Sequence, residues 1–474
     1  MPARPIVAVF RHPISLFGMW LSTVSALMFL IFFFADLFGL FSNPYLGIIF
    51  FLVLPAAFAI GLVLMPLGVY LRRRRERLGH LVAAQWPRID LNEPWQRTIA
   101  FFVLVATAVN IVVLSLAAYR GIDYMDSVPF CGQVCHKVMH PEFTAYQNGP
   151  HARVACVQCH IGPGAPWFVR SKLSGTRQVF AVLLNTYPRP IPSPVTNLRP
   201  ARETCEECHW PEKFTGDKIV SFYDVADDEA STVTTTSMRL HVGGGSEKYG
   251  IATGIHWHMA PSTRISYWTT DPKRQTIARV RVEGPGGRTG DFYAPGITEK
   301  QLLDLQASGK AEKRQMDCMD CHNRPSHPFT ATAEEAVDEA IGLGRIDKAL
   351  PFIRRQMVAA LKEKYASQDA AAEAIARSLR EFYRAQYAQQ YQGFEPALNQ
   401  TVTITQNLYR RNVFPSMNVS WGTYANNIGH TDFPGCFRCH DDNHATKDGK
   451  TIPQDCEMCH EMLETPVPET APGH

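Results

Sequence analysis

The chain has 474 residues, with 47 basic and 44 acidic side chains and a formal net charge of +3. That charge is too small to suggest nucleic acid as a partner, and no basic stripe with interleaved aromatics appears. Several domains fit in this length. With no Gly-rich phosphate loop, Gly-x-Ser-x-Gly or His-Glu-x-x-His, the chemistry must rest on 12 cysteines and 17 histidines.

The N-terminal quarter reads as a membrane domain, residues 1–120. Ile14 to Ala35, Tyr45 to Leu71 and Ile99 to Ala118 carry no charged residue. Each reaches the ~20 residues needed to cross the hydrocarbon core. Three transmembrane helices are predicted, at about 14–36, 45–71 and 98–119. A cleaved signal peptide is not expected, because no small-residue cleavage site follows the first run and a second begins almost at once. The loop after the second run carries Arg72, Arg73, Arg74, Arg75, Arg77, Arg88 and Arg97, whereas the link FSNP has no basic residue. Positive loops stay cytoplasmic. The N-terminus is therefore expected inside, and everything after the third run outside.

Six cysteine pairs follow, all in the exported part. Residues 121–210 hold CGQVCH (Cys131, Cys135, His136), CVQCH (Cys156, Cys159, His160) and CEECH (Cys205, Cys208, His209). Pro and Gly recur there, as in IGPGAPW and TYPRPIPSP, which predicts little regular structure. Residues 211–296 lack cysteine and read as a β-rich insertion. ISYWTT and ARVRVEG are strand-like, and GPGGRTG is a turn. Within GIHWHM, His256 and His258 would share one face of a strand and could point at one common edge. The segment 297–330 brings CMDCH (Cys318, Cys321, His322). Residues 331–415 read as a helical scaffold, with a capping box at Thr332 and Glu335 and a long helix over 369–387. CFRCH (Cys436, Cys439, His440) and CEMCH (Cys456, Cys459, His460) close the chain within 416–474.

Zinc sites or disulfides can also use paired cysteines, but neither requires a His directly after every second one. The pattern is that of covalent haem: two thioethers to the vinyl groups, with the adjacent imidazole as an axial iron ligand. CGQVCH has one residue more than the regular spacing. The expected fold class is a multihaem cytochrome c: three transmembrane helices, then an exported, mostly α and irregular, haem-packed domain with a small β-rich insertion.

The motif histidines supply six proximal ligands. Distal candidates are His140, His151, His241, His256, His258, His327, His430, His444 and His474, together with Met139. Iron with two protein ligands has no open site and serves electron transfer.

The stretches CGQVCHKVMHPEFTAYQNGPH, ACVQCH, ARETCEECH and CMDCHNRPSH, over about 98–330, resemble the NapC/NirT family of membrane-anchored multihaem quinol dehydrogenases. The resemblance implies that His327 ligates the second haem and His151 the fourth. It matches Lys172 to the family's quinol-site lysine. No counterpart of the family's acidic residue is found, since Gln178 and Val179 stand nearby, and Met139 sits one residue later than the family's Met. Three membrane runs, the insertion and two added haems point to the larger inner-membrane forms that begin extracellular respiration in metal-reducing bacteria.

About twelve residues separate the third run from CGQVCH, so the first haem is expected near the lipid interface. Quinol oxidation releases protons, and Lys172, Lys137, Glu142, Asp123 and Asp126 are the candidates to receive them. The expected function is relay of electrons from menaquinol or ubiquinol through six covalently bound haem c groups, in the bacterial inner membrane with a periplasmic haem domain. Expected partners are the lipid bilayer, the quinol pool, and periplasmic c-type cytochromes or a terminal reductase, with a homo-oligomer allowed. Alternatives are a subunit of a larger respiratory complex, or a terminal reductase with one open haem.

Overall fold

A computed structural model describes residues 13–37, 53–77, 90–134, 136–162, 164–195, 198–210, 214, 216–244, 253–287 and 289–463. The chain divides into two compact units, Met1–His136 and Lys137–His474.

Among the described residues the first unit holds the helices α1 (Pro13–Leu37), α2 (Leu54–Arg77) and α3 (Pro94–Met125). α1 over Pro13–Phe33 and α2 over Leu54–Arg72 are long and apolar enough to cross a membrane. Residues 45–52 and 78–89, Arg88 among them, lie outside the described residues. α1 and α2 meet along a seam of small side chains. A Cβ on Gly18 would come within 2.7 Å of the Gly61 carbonyl oxygen. Ser15 Oγ donates to the Met65 carbonyl (2.9 Å) and Ser22 Oγ to the Phe58 carbonyl (3.2 Å). Such close approach is how helices associate where no hydrophobic drive exists between them. α3 joins through Val113 and Ala117, which pack with Phe29 and Leu54. At 32 residues it extends well beyond the apolar run that predicts it. Its polar end carries Arg120, with its guanidinium carbon 5.8 Å from the Phe33 ring centre.

The second unit contains far more regular structure near its start than the Pro and Gly content suggests. α4 (His136–Gln147) is followed by a one-turn helix at Cys156–His160, then α5 (Ala165–Leu183) and another single turn at Ala201–Cys205. Pro166 stands in the first turn of α5, where a missing N–H costs nothing. A hairpin follows, β1 (Lys218–Val225) and β2 (Val233–Leu240). Ile255–Met259 forms a 3₁₀ turn. Next come β3 (Arg264–Thr269), β4 (Ile277–Glu283), β5 (Thr289–Tyr293), α6 (Glu299–Ala307) and β6 (Glu312–Gln315). Cys318–Cys321 is a single helical turn.

The helical scaffold is α7 (Ala333–Gly342), α8 (Ile353–Lys362), α9 (Gln368–Gln386) and α10 (Tyr391–Asn412). Thr332 Oγ1 accepts from the Glu335 N–H, but the Glu335 carboxylate bonds the Ala331 N–H, one residue before the position a capping box uses. Val337, Ile353, Met357, Ile375, Leu379 and Tyr383 form the centre of this scaffold's core. The chain ends its described part with β7 (His460–Leu463).

Among the described residues the strand pairs are antiparallel, in sheets of order β1-β2-β7 and β5-β4-β3-β6. The β-rich segment is therefore not self-contained. β7 comes from the sixth motif and lies beside β2, with Leu240 opposite His460. β6 lies beyond residue 296 and leads directly into the fourth motif.

Candidate haem centres

The first motif lies at the end of the first unit. Phe130–Val134 forms a π-helical turn. A π-turn accommodates one residue more than an α-turn. The extra residue of CGQVCH thus sits in a wide helical turn rather than in a loose bulge. Cys135 and the side chains of His136 and Lys137 lie outside the described residues.

The other five motifs lie in the second unit, and each motif histidine faces another imidazole. His160 faces His327 with ring centres 6.1 Å apart, and His209 faces His151 at 5.9 Å. His322 faces His256 at 6.3 Å, His440 faces His258 at 5.8 Å, and His460 faces His430 at 6.2 Å. Two imidazoles sharing one metal, each bonded at about 2 Å, would place their ring centres about 6 Å apart. The residues present therefore fit bis-imidazole iron.

Hydrogen bonds favour the same use. His151 Nδ1 meets the Pro325 carbonyl (3.0 Å), His327 Nδ1 the Glu142 carbonyl (2.9 Å) and His256 Nδ1 the Val242 carbonyl (3.1 Å). His258 Nδ1 meets the Ile255 carbonyl (2.7 Å) and His440 Nδ1 the Pro453 carbonyl (2.9 Å). A carbonyl can only accept, so Nδ1 carries the proton and Nε2 keeps its lone pair for a metal. Burial pushes His160, His256, His258, His322 and His327 below the ordinary imidazole pKa. Neutral imidazole is the ligating form.

Two distal candidates come from one turn. Gly254, with φ +72°, opens the 3₁₀ turn, and the Ile255 and His256 N–H groups bond the carbonyls of His241 (2.8 Å) and Val242 (3.0 Å). Three residues per turn send His256 and His258 in different directions. They face the fourth and fifth motifs respectively, not one common edge. His151 faces the third motif rather than the fourth that the family resemblance implies, because His256 stands opposite His322. His327 faces the second.

The motifs also adjoin in chain order. Cys159 lies within electrostatic reach of Cys208, and Cys205 of Cys318. Cys321 neighbours Cys436, and Cys436 neighbours Cys459. Eleven described cysteines are free of disulfides and so available for thioethers. A cavity of about 2790 Å³ is lined by residues of the third to sixth motifs and by His151, His256, His258 and His430.

Other candidates are placed differently. His444 is 3% exposed, with Nδ1 on the Asp441 carboxylate (3.0 Å) and Nε2 on the Ile277 carbonyl (2.9 Å). Neither nitrogen is left for iron. His241 faces Asp217 (3.2 Å), and His140 packs edge-on against Phe414. Met139 is half-buried, and His474 lies outside the described residues. Glu142, expected as a proton acceptor for quinol, is buried and paired with Arg324 (2.6 Å). Arg324 in turn lies 3.9 Å from the Tyr424 ring centre. This Glu142–Arg324–Tyr424 cluster beside His327 has no motif signature in the sequence. Lys172 stands on α5, with Nζ 4.8 Å from the Phe168 ring centre. Asp123 lies in the other unit, 3.9 Å from Arg120, and Asp126 caps α3.

Cysteine pairs that each precede a histidine, with a second imidazole set opposite, define a multihaem c-type cytochrome. Residues 94–190 match the NapC/NirT cytochrome c family, N-terminal region. Across 464 residues the chain is 41% identical to the cytochrome c-type protein ImcH of Geobacter sulfurreducens, covering 98% of this chain and 90% of that protein. The chain belongs to the NapC/NirT family of cytochromes c, which makes it a membrane-anchored electron-transfer protein with covalently bound haem c. No solved structure matches it.

Proposed function

We propose that this chain is a quinol dehydrogenase of the bacterial inner membrane. It oxidises menaquinol or ubiquinol at the outer face and delivers electrons to periplasmic c-type cytochromes or a terminal reductase, in anaerobic or extracellular respiration. Six covalently bound haems supply the one-electron iron couples such a relay needs.

The reading is carried by the series of facing imidazole pairs. His160 with His327, His209 with His151, His322 with His256, His440 with His258 and His460 with His430 would fill both axial positions of haems two to six. Filled positions exclude substrate from the iron, which favours relay over terminal reduction. His136 is the proximal ligand of the first haem, with Met139 or His140 as its distal candidates. Lys172, Lys137 and Asp123 are the groups to receive quinol protons, whereas Glu142 holds Arg324 beside His327. The arginines at the end of α2 support a cytoplasmic side for that end, and on this reading α3 is a third span with the haem domain outside.

The test uses the full haem-loaded chain in lipid nanodiscs, mixed anaerobically with menaquinol. Several haems per chain should be reduced, and a quinone-analogue inhibitor should prevent it. The proposal fails if menaquinol reduces none while dithionite reduces all.

A further inference from the structure

α5 carries an apolar stripe that is exposed among the described residues. Val169, Leu173, Phe180, Leu183 and Leu184 are 55%, 68%, 59%, 73% and 70% exposed. At 100° per residue they fall within one narrow arc of the helix and its C-terminal extension. The opposite side is anchored, for Val182 packs against the cluster of Val138, Phe414, Met417, Val419 and Tyr424. The stripe is thus held in place by a packed scaffold and is not a frayed end.

Charge identifies what the stripe meets. Arg170 and Arg177 lie along one edge of it, and Lys172 along the other. From Phe143 to Arg202, sixty residues, there is no Asp or Glu, while seven Lys and Arg occur. An apolar arc bordered by cations is the pattern of a helix that lies in the headgroup layer of an anionic membrane. There long basic side chains keep their charge in water while their stems cover apolar surface. A two-fold contact between copies of the chain would set these like charges against one another. The same chain carries two helices long and apolar enough to span a bilayer, and α5 begins forty residues after α3 ends.

We propose that α5 lies flat on an anionic lipid surface, with Leu173, Phe180 and Leu184 in the acyl boundary and Arg170 and Arg177 on lipid phosphates. This inference stands on the stripe and its charges and does not depend on the quinol reading.

The test places a photoreactive benzoyl-phenylalanine at Leu173, Phe180 or Gln178 in the full haem-loaded chain. The protein is irradiated in nanodiscs of equal phosphatidylglycerol and phosphatidylcholine, and adducts are identified by mass spectrometry. Gln178 is exposed but points away from the stripe. Lipid adducts at 173 and 180 should exceed those at 178 by about tenfold. They should favour phosphatidylglycerol at least about twofold, a bias lost in R170Q/R177Q. Adducts to a second copy of the chain, equal lipid adducts at 178, or no preference for the anionic lipid would overturn the proposal. Every substituted side chain is exposed, so folding is preserved, and the haem absorption spectrum verifies it.

Discussion

Gly254 adopts φ +72°, and a Cβ there would press on the His241 carbonyl oxygen. A β-branched side chain in that conformation costs about 1–3 kcal/mol and must displace the turn that carries His256 and His258. Gly254→Val is therefore expected to disturb two haems at once, giving high-spin ferric signals at about two irons per chain by electron paramagnetic resonance. His258→Ala should disturb one. Protons compete with iron for the same imidazoles. Burial lowers the pKa of His160, His256, His258, His322 and His327. A depressed folded-state value means that the neutral ring's contribution is complete above the unfolded value, about 6.5, and fades as pH falls below it. Acid titration should convert low-spin to high-spin haem only on the acid side of that value, and raising pH from 7 to 9 should leave the spectrum unchanged.

At the scale of elements, the α1–α2 seam depends on Gly18 and Gly61. A leucine at Gly61 would collide with the Ser22 side chain and the Gly18 carbonyl, an overpacking that costs about 1–3 kcal/mol. Gly61→Leu is expected to lower the melting temperature of the detergent-solubilised protein with haem content unchanged. Local pattern made much of the fold legible. The apolar runs read as helices, ISYWTT and ARVRVEG as β3 and β4, and the 369–387 pattern as α9, within one residue at each end. α5 is less legible, because IGPGAP before it and TYPRPIPSP after it are loop-like and leave its apolar spacing between two breaker-rich stretches. β7 could not be read locally, since His460–Leu463 is extended through pairing with β2, more than 200 residues earlier. The 3₁₀ turn at Ile255–Met259 likewise depends on the carbonyls of His241 and Val242.

At the scale of the molecule, the motif cysteines and histidines are local signals, which is why six motifs can be counted from sequence. Their partners are not. His151 and His209 are 58 residues apart, His160 and His327 167, and His258 and His440 182, so local spacing cannot match them. That matching also moves His151 from the fourth motif to the third. The motifs adjoin in order from second to sixth, and the facing imidazoles would supply both axial positions of an iron at each. Near-infrared magnetic circular dichroism of the oxidised full chain separates bis-imidazole iron from iron with other axial ligands, and so tests this arrangement most directly. Five bis-imidazole haems per chain, with the first haem as the single site free to differ, is the expected result. Two or more of the six irons lacking a second imidazole would contradict it.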